Sequence, residues 1–240
     1  MTPGMDYLLR LLTKSMVLAC AVCIWSGTVN AFPFIGISIN NGEKYTNNKV
    51  VSIEIQSLQI DKKLIQSMQI GNSPELDQAS WIDYSEDPME YSIPDGDGKK
   101  IVYVRLKDKN GNISQTETAS IILDSTPPLA KQLLINDGAN YTNNKQMKVM
   151  LSLIAEDAVK MQISNNPEFK EVQWEIYRPQ KSWLLGPPGD GEKTVYARFA
   201  DAAENISQAL QASIILDTDP PQNCAVIIKN DEKFTTNPTA

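Results

Sequence analysis

The sequence offers four candidate ligands for calcium near the junctions between domains: Asp108, Asn110, Asp124 and Asp217. Asp124 and Asp217 each lie shortly before a pair of prolines, and the other two lie in the turn DKNGN. Hard cations such as Ca²⁺ take several ligands from carboxylates, side-chain amides and backbone carbonyls. We therefore expect a calcium site, provided that the DKNGN turn lies toward the same end of a domain as Asp124. The same residue types also cap turns without a metal, and this alternative stays open.

No other group of side chains predicts a cofactor or a catalytic centre. The sequence contains no histidine, which removes the usual Ser-His-Asp and Cys-His machinery and the common proton shuttle at neutral pH. Neighbouring acids such as Glu86 and Asp87 have the character of solvated turn charges rather than of a paired acid and base. We expect a non-enzymatic chain with no catalytic residue and no cofactor other than calcium.

Charge and cysteine content narrow the classes of partner and of fold. The formal net charge is −7, which argues against nucleic acid, because a binder must neutralise phosphates with clustered Lys and Arg. Cys20 and Cys23 lie in an apolar N-terminal segment, and Cys224 stands alone in the rest of the chain. We therefore expect no disulfide between sheets.

The N-terminal segment has the pattern of a secretory signal peptide. Arg10 and Lys14 supply positive charge, Met16–Trp25 is an apolar run, and Val29-Asn30-Ala31 matches a cleavage site. The run is too short for a membrane span, which needs about 20 residues. Cleavage near Ala31 would leave a secreted or cell-surface chain without a membrane span. A lipoprotein signal that uses Cys20 is the alternative.

The rest of the chain repeats itself. The segment INNGEKYTNN returns as INDGANYTNN, and the spacing from Tyr45 to Tyr141 is 96 residues (141 − 45). This period suits a small independent domain. A third copy begins after Pro221; the alternative is that the tail pairs as a strand with an edge of the second domain. The predicted organisation is a signal peptide at 1–31, domains at 32–126 and 127–219, and a truncated third repeat at 220–240.

Alternating apolar and polar residues predict strands throughout these repeats. Val51, Ile53 and Ile55 alternate with polar residues, and Val149, Leu151 and Leu153 take the same places in the second copy. Turn sequences rich in Gly, Asn and Pro separate the runs, and no amphipathic helical stretch of useful length occurs. We predict an all-β chain of β-sandwiches.

Four motifs carry a resemblance to a known family: GDGxKxVYxRxxD, xNIS, SIILDxxPP and the opening INxGxxYTNN. Together they resemble the tandem immunoglobulin-like repeats of bacterial secreted and cell-surface, adhesin-type proteins. The resemblance implies tandem immunoglobulin-like sandwiches, further repeats in cis, and in some relatives calcium near the domain junctions. Arg105 and Arg198 stand where an antibody-type domain would have a cysteine, so each sandwich must rely on packing alone.

The function expected from these features is that of a surface spacer or adhesion module, whose ligand is an unidentified surface protein or glycan. The alternative is an ancillary, carbohydrate-binding region of a secreted hydrolase. Trp81 with Tyr84, and Trp174 with Tyr177, are the aromatic pairs that could stack on sugar rings. Their recurrence at equivalent places favours a packing role instead.

Overall fold

The computed structural model describes residues 35–57 and 62–222, and it contains no α-helix within those ranges. Three short 3₁₀ turns occur at Asn40–Gly42, Lys62–Leu64 and Asn136–Gly138. The remaining regular structure consists of sixteen strands within the described ranges: β1 Ile35–Ile39, β2 Tyr45–Thr46, β3 Val50–Ser57, β4 Ile65–Gly71, β5 Ile82–Asp83, β6 Met89–Ser92, β7 Gly98–Asp108, β8 Glu117–Leu123, β9 Leu129–Ile135, β10 Tyr141–Thr142, β11 Lys148–Glu156, β12 Lys160–Ser164, β13 Glu175–Ile176, β14 Gln180–Leu184, β15 Gly191–Ala200 and β16 Leu210–Leu216.

Strands β1–β8 form the first sandwich, and strands β9–β16 form the second. The first consists of a three-stranded sheet in the order β1-β3-β6 and a five-stranded sheet in the order β2-β8-β7-β4-β5. The second has the same design, with sheets β9-β11-β14 and β10-β16-β15-β12-β13. All pairings are antiparallel except β2 with β8 and β10 with β16, which are parallel. The predicted fold class of tandem immunoglobulin-like β-sandwiches is confirmed.

The core of each sandwich comes from the alternation in its strands. In β11, Val149, Leu151 and Leu153 are at most 4% exposed, while their neighbours along the strand face outward. Phe199 of β15 is fully buried and meets Tyr177 edge-on, with ring centroids 5.6 Å apart. Burial of each such aliphatic or aromatic side chain stabilises the fold by about 1.5–3 kcal/mol. No cysteine occurs in the described ranges, so packing holds their sheets together.

The repeated INxG motif forms the corner that follows the first strand of each sandwich. Asn41 and Asp137, at the centre of the two corners, both have a φ of 56°, and a glycine with a still larger positive φ follows each of them. Asn, Asp and Gly tolerate this left-handed backbone better than other residues. The amide oxygen of Asn136 also accepts a hydrogen bond of 2.9 Å from the Met150 N–H, which ties the corner to β11. The Asn40 amide oxygen likewise accepts a bond of 2.8 Å from the Ser52 N–H, so the motif positions β3 in the first sandwich and β11 in the second.

Several expectations fall outside the described residues. These are the signal peptide at 1–31, nearly all of the third repeat at 220–240, and all three cysteines. Within the ranges that the structure does describe, no helix is long and apolar enough to cross a membrane.

Candidate functional site

The loop after β15 is organised around a buried carboxylate. Asp201 is only 1% exposed, and its Oδ1 accepts hydrogen bonds from the N–H groups of Ala203 (2.8 Å) and Asn205 (2.9 Å). Its Oδ2 accepts a third, of 2.8 Å, from the side-chain amide of Asn205. Hydrogen bonds of this kind offset the cost of removing a carboxylate from water. Asp201 thereby fixes the orientation of the Asn205 side chain.

Asn205 links the two sandwiches. Besides its bond to Asp201, its Nδ2 donates a hydrogen bond of 2.8 Å to the backbone carbonyl of Asp124. Asp124 directly follows β8, the last strand of the first sandwich, whereas Asn205 belongs to the second. Both amide hydrogens of this nearly buried side chain are therefore used, and one of them joins the two sandwiches.

Three carboxylates meet at the same place. One oxygen each from Asp124, Asp157 and Asp201 lies within 4.8 Å of the other two. Asp157 comes from the turn between β11 and β12, where it is exposed and has a φ of 59°. Ionised carboxylates at this distance repel one another, and a cation among them would relieve the repulsion. Ca²⁺ takes about six to eight oxygen ligands, so these side chains could supply part of its coordination shell.

The ligands predicted for the first junction, Asp108, Asn110 and Asp124, do not come together. Gly98 pairs with Leu123 at one end of the ladder between β7 and β8, and Asp108 ends β7 ten residues further on. At about 3.3 Å per residue, Asp108 lies roughly 33 Å from the end that carries Asp124. The expectation that the DKNGN turn, with Asp108 and Asn110, lies toward the same end as Asp124 is therefore wrong.

Asp217 is also separated from the cluster. Gly191 pairs with Leu216 at one end of the ladder between β15 and β16, whereas Asp201 follows the opposite end of β15. Of the four predicted ligands, only Asp124 belongs to the carboxylate cluster. Sequence reasoning missed Asp157 and Asp201. Asp201 could have been found as the counterpart of Asp108 in the second copy, but nothing along the chain singles out Asp157.

Asp108 caps its own turn. Its Oδ1 accepts hydrogen bonds of 2.8 Å from the N–H groups of Asn110 and Asn112. Its Oδ2 accepts a hydrogen bond of 2.8 Å from the Asn112 side-chain amide. These hydrogen bonds, above all that from the Asn112 side chain, hold the pKa of Asp108 below its ordinary value. The capping alternative therefore accounts for Asp108 and Asn110.

A second pair of aspartates anchors the segments that leave each sandwich. Asp97 accepts hydrogen bonds from the Ser125 N–H (2.9 Å), the Ser125 hydroxyl (2.7 Å) and the Thr126 hydroxyl (2.8 Å). The Asp190 carboxylate accepts hydrogen bonds from the Thr218 N–H (2.8 Å) and the Thr218 hydroxyl (2.9 Å). The Ser125 side chain first of all lowers the pKa of Asp97, and the Thr218 backbone N–H lowers that of Asp190. The GDG motif therefore fixes the chain just before each pair of prolines.

The recurrent aromatic pairs are engaged within the protein. The Lys107 ammonium lies 4.0 Å from the centre of the Trp81 ring, and the Arg198 guanidinium lies 5.6 Å from that of Trp174. The Tyr177 hydroxyl donates to the Leu153 carbonyl at 3.1 Å and accepts the Ala155 N–H at 3.2 Å. Cations over the rings compete with a sugar for the same faces. These contacts favour the packing role of the aromatic pairs over the glycan role.

Comparisons with known proteins found only structural matches of low sequence identity. No known protein-family model matches the sequence, and no curated protein sequence matches it significantly. The fibronectin(III)-like modules of Clostridium thermocellum CbhA share 10% identity at a TM-score of 0.49, covering 80% of this chain and all of that one. The D00-D0 domain of intimin shares 14% at 0.31, covering 77% of this chain and all of that one. The BSP domain of a biofilm associated protein shares 13% at 0.25, covering 78% of this chain and 30% of that one. Similarities of this size carry no argument about function.

Proposed function

We propose that this chain is a non-enzymatic, exported immunoglobulin-like region that acts as a spacer or adhesion module at the cell surface. Its role is positional: two sandwiches hold a set orientation and project whatever is attached to them. The observation that carries the proposal is the hydrogen bond from the Asn205 side chain to the Asp124 carbonyl. A spacer needs a defined joint, and this contact supplies one.

The connection between the sandwiches is short and restrained at both ends. Only the residues from Asp124 to Pro128 separate β8 from β9. Asp97 holds Ser125 and Thr126 on the first sandwich, and Pro127-Pro128 restricts the backbone that remains. Asn205 then fixes the second sandwich against the start of this connection. Few backbone torsions are left free to bend the joint.

The proposed setting is extracytoplasmic, with cleavage of the N-terminal segment near Ala31 and further immunoglobulin-like repeats in cis. The binding partner is a surface protein or a glycan that the repeats present or contact. The alternative of a carbohydrate-binding region in a hydrolase depends on exposed ring faces. It has less support, because Lys107 and Arg198 lie over Trp81 and Trp174.

The joint can be tested by replacing Asn205→Ala in the full chain. Residual dipolar couplings measured in a weakly aligning medium report the alignment of each sandwich separately. We expect nearly equal alignment tensors for the two sandwiches of the wild type, and divergent tensors in the variant, because one restraint on their orientation is lost.

A matched control lies in the first sandwich. Asn112 makes the same bond to Asp108 that Asn205 makes to Asp201, but it makes no contact with the second sandwich. Asn112→Ala should therefore leave the two tensors equal. The proposal of a rigid joint would be contradicted if the two sandwiches of the wild type had different alignment tensors, or if Asn205→Ala and Asn112→Ala had the same effect on them.

A further inference from the structure

The distal end of each sandwich, where the chain leaves its last strand, has the same backbone structure. The Asp124 N–H donates to the Thr46 carbonyl at 2.9 Å, and the Asp217 N–H donates to the Thr142 carbonyl at 3.0 Å. The short strands β2 and β10, which contain these threonines, pair in parallel with β8 and β16 in the same register. The distal end of the second sandwich therefore repeats the surface that carries the joint on the first.

Equivalent residues at the two distal ends differ in exposure. Thr46 is buried and Asp124 is half-buried, whereas Thr142 is half-buried and Asp217 is exposed. The second sandwich lies against the first at Asp124, through the hydrogen bond from Asn205. Among the described residues, no further sandwich lies against Asp217. The difference in exposure thus marks the surface that a docked sandwich covers.

The uncovered end has both space and a hydrogen-bond acceptor. Tyr141, Thr142, Asn143 and Asp217 line a concavity of about 420 Å³. Tyr141 is 64% exposed, while its counterpart Tyr45 is half-buried. In the hydrogen bonding of residues 35–57 and 62–222, no donor reaches the Asp217 carbonyl. The equivalent carbonyl in the first sandwich is the one that accepts the bond across the joint.

The loop that makes the joint shows the complementary difference. Asp201 and Asn205 are at most 9% exposed, whereas Asp108 is half-buried and Asn112 is exposed. The internal hydrogen bonds of the two loops are the same, so contact with the neighbouring sandwich accounts for the difference. Ala203 is buried within the covered loop. A docking loop therefore has an Asp and an Asn four residues apart, with a small residue between them.

The chain that follows Asp217 leads a further sandwich to this end. Pro220-Pro221 follows at the same spacing as the pair of prolines in the first connection. The repeat predicted at 220–240 places Ile228 93 residues after Ile135 (228 − 135), in the first strand of a sandwich. A short tether gives that sandwich a high effective concentration at the distal end, so a small contact suffices to orient it.

We propose that the distal end of the second sandwich is the docking surface for the next immunoglobulin-like sandwich of the same chain. The asparagine of a loop of the Asp201–Asn205 type donates to the Asp217 carbonyl, as Asn205 does to the carbonyl of Asp124. The joint is thereby repeated along the array with one set of contacts. This inference rests on the proposed function, because it extends the same joint to the next sandwich.

The test supplies this surface with a sandwich of known sequence. A second copy of residues 127–219, the insert, is placed between Asp219 and Pro220 of the full chain, which keeps the length of the connection. Glu90→Cys and Ser182→Cys are counterparts on β6 and β14, and spin labels there report distances across the first joint by double electron–electron resonance. Labels at Ser182→Cys and at its copy in the insert report distances across the second. Cys224→Ser removes the natural cysteine of the exported chain.

We expect equal mean distances and equally narrow distributions across the two joints. Asn205→Ala in the insert should broaden the distribution across the second joint alone, because the donor to the Asp217 carbonyl is lost. The same substitution in the original second sandwich should broaden the distribution across the first joint alone. Asn112→Ala serves as the control and should change neither distribution.

Oxidative footprinting gives a second measurement that needs no spin label. With Tyr141→Phe in the insert, only the original Tyr141 is read, and its oxidation should fall to the level of Tyr45. Unchanged oxidation would overturn the inference.

The distances separate failure of this inference from failure of the proposed function. A broad distribution across the second joint beside a narrow one across the first would overturn this inference alone. A narrow second distribution that Asn205→Ala in the insert does not broaden would also overturn it, because the prolines would then set the orientation. Broad distributions across both joints would contradict the rigid joint of the proposed function, and this inference with it.

Discussion

Asn205 and Asp124 are 81 residues apart in sequence and are joined by a hydrogen bond of 2.8 Å between the two sandwiches. The Asn205 side chain can make this bond because Asp201 holds it in place, and Asp201 can be buried because the loop satisfies its oxygens. Asp124 therefore takes part in the junction between the sandwiches through both its backbone and its side chain. Its carbonyl accepts the bond from Asn205, and its carboxylate joins those of Asp157 and Asp201.

The carboxylate cluster predicts that Asp157→Asn stabilises the protein in chelator at low salt. Removing one of three neighbouring negative charges relieves a repulsion of about 1 kcal/mol or less, and salt screens that repulsion. Thermal unfolding should show a melting temperature raised by a few degrees, with a smaller increase at high salt.

Calcium titration of the same proteins tests the calcium prediction made from sequence. That prediction requires millimolar Ca²⁺ to raise the melting temperature of the wild type and a chelator to reverse the increase. If the ion lies among the three carboxylates of the cluster, Asp157→Asn diminishes the increase. Asp108→Asn serves as the control outside the cluster, and it should leave the calcium response unchanged. If Ca²⁺ leaves the melting temperature of the wild type unchanged, the prediction of a calcium site is wrong.

The buried side chain of Phe199 predicts a large and local loss of stability on truncation. Phe199→Ala should cost about 3–5 kcal/mol, because it leaves a cavity and removes the edge-on contact with Tyr177. Denaturant unfolding followed by NMR should show the loss in resonances of the second sandwich. Leu106→Ala, at the equivalent position of β7, should instead affect those of the first. Equal loss in both sandwiches from either change would mean that they unfold as one unit.

The Tyr177 hydroxyl lies at a β-bulge, and we expect its removal to destabilise the protein. Its hydroxyl bonds the Leu153 carbonyl and the Ala155 N–H, and the register of β11 against β9 shifts between Ile154 and Ala155. Tyr177→Phe leaves both backbone groups without this partner and should lower the free energy of unfolding by about 1–3 kcal/mol. Amide exchange at Ala155 should accelerate. Unaltered exchange there would show that the hydroxyl does not protect the bulge.

We expect the hydrogen-bonded carboxylates of Asp97 and Asp190 to make the protein less stable in acid. Hydrogen bonds in the folded state lower the pKa of both carboxyls, so each contributes stability above the pKa of the unfolded chain, about 3.9. This contribution is lost as the pH falls through the lower pKa of the folded state. Unfolding measured from pH 6 to pH 2 should show a shallower pH dependence in the double variant Asp97→Asn, Asp190→Asn. An identical slope would mean that neither bond persists in solution.

The strand pattern was predictable from sequence because alternation along a strand is a local property. Val149, Leu151 and Leu153 are buried as their spacing predicts, and the turn sequences lie between strands as Gly and Asn require. The carboxylate cluster was not predictable. Its members come from the end of β8, the β11–β12 turn and the loop after β15, and no local pattern links these three segments.

The sequence by itself determined the all-β class, the pattern repeated about every 95 residues and the inward-facing aliphatic residues, because backbone geometry and side-chain alternation act between near neighbours. Only the tertiary structure decided which acids meet. β7 is extended, and its antiparallel pairing with β8 places the end of β8 beside the start of β7, so Asp124 is separated from Asp108 at the far end of β7. The approach of the second sandwich to the end of β8 then brings Asp201 and Asn205 to Asp124 instead.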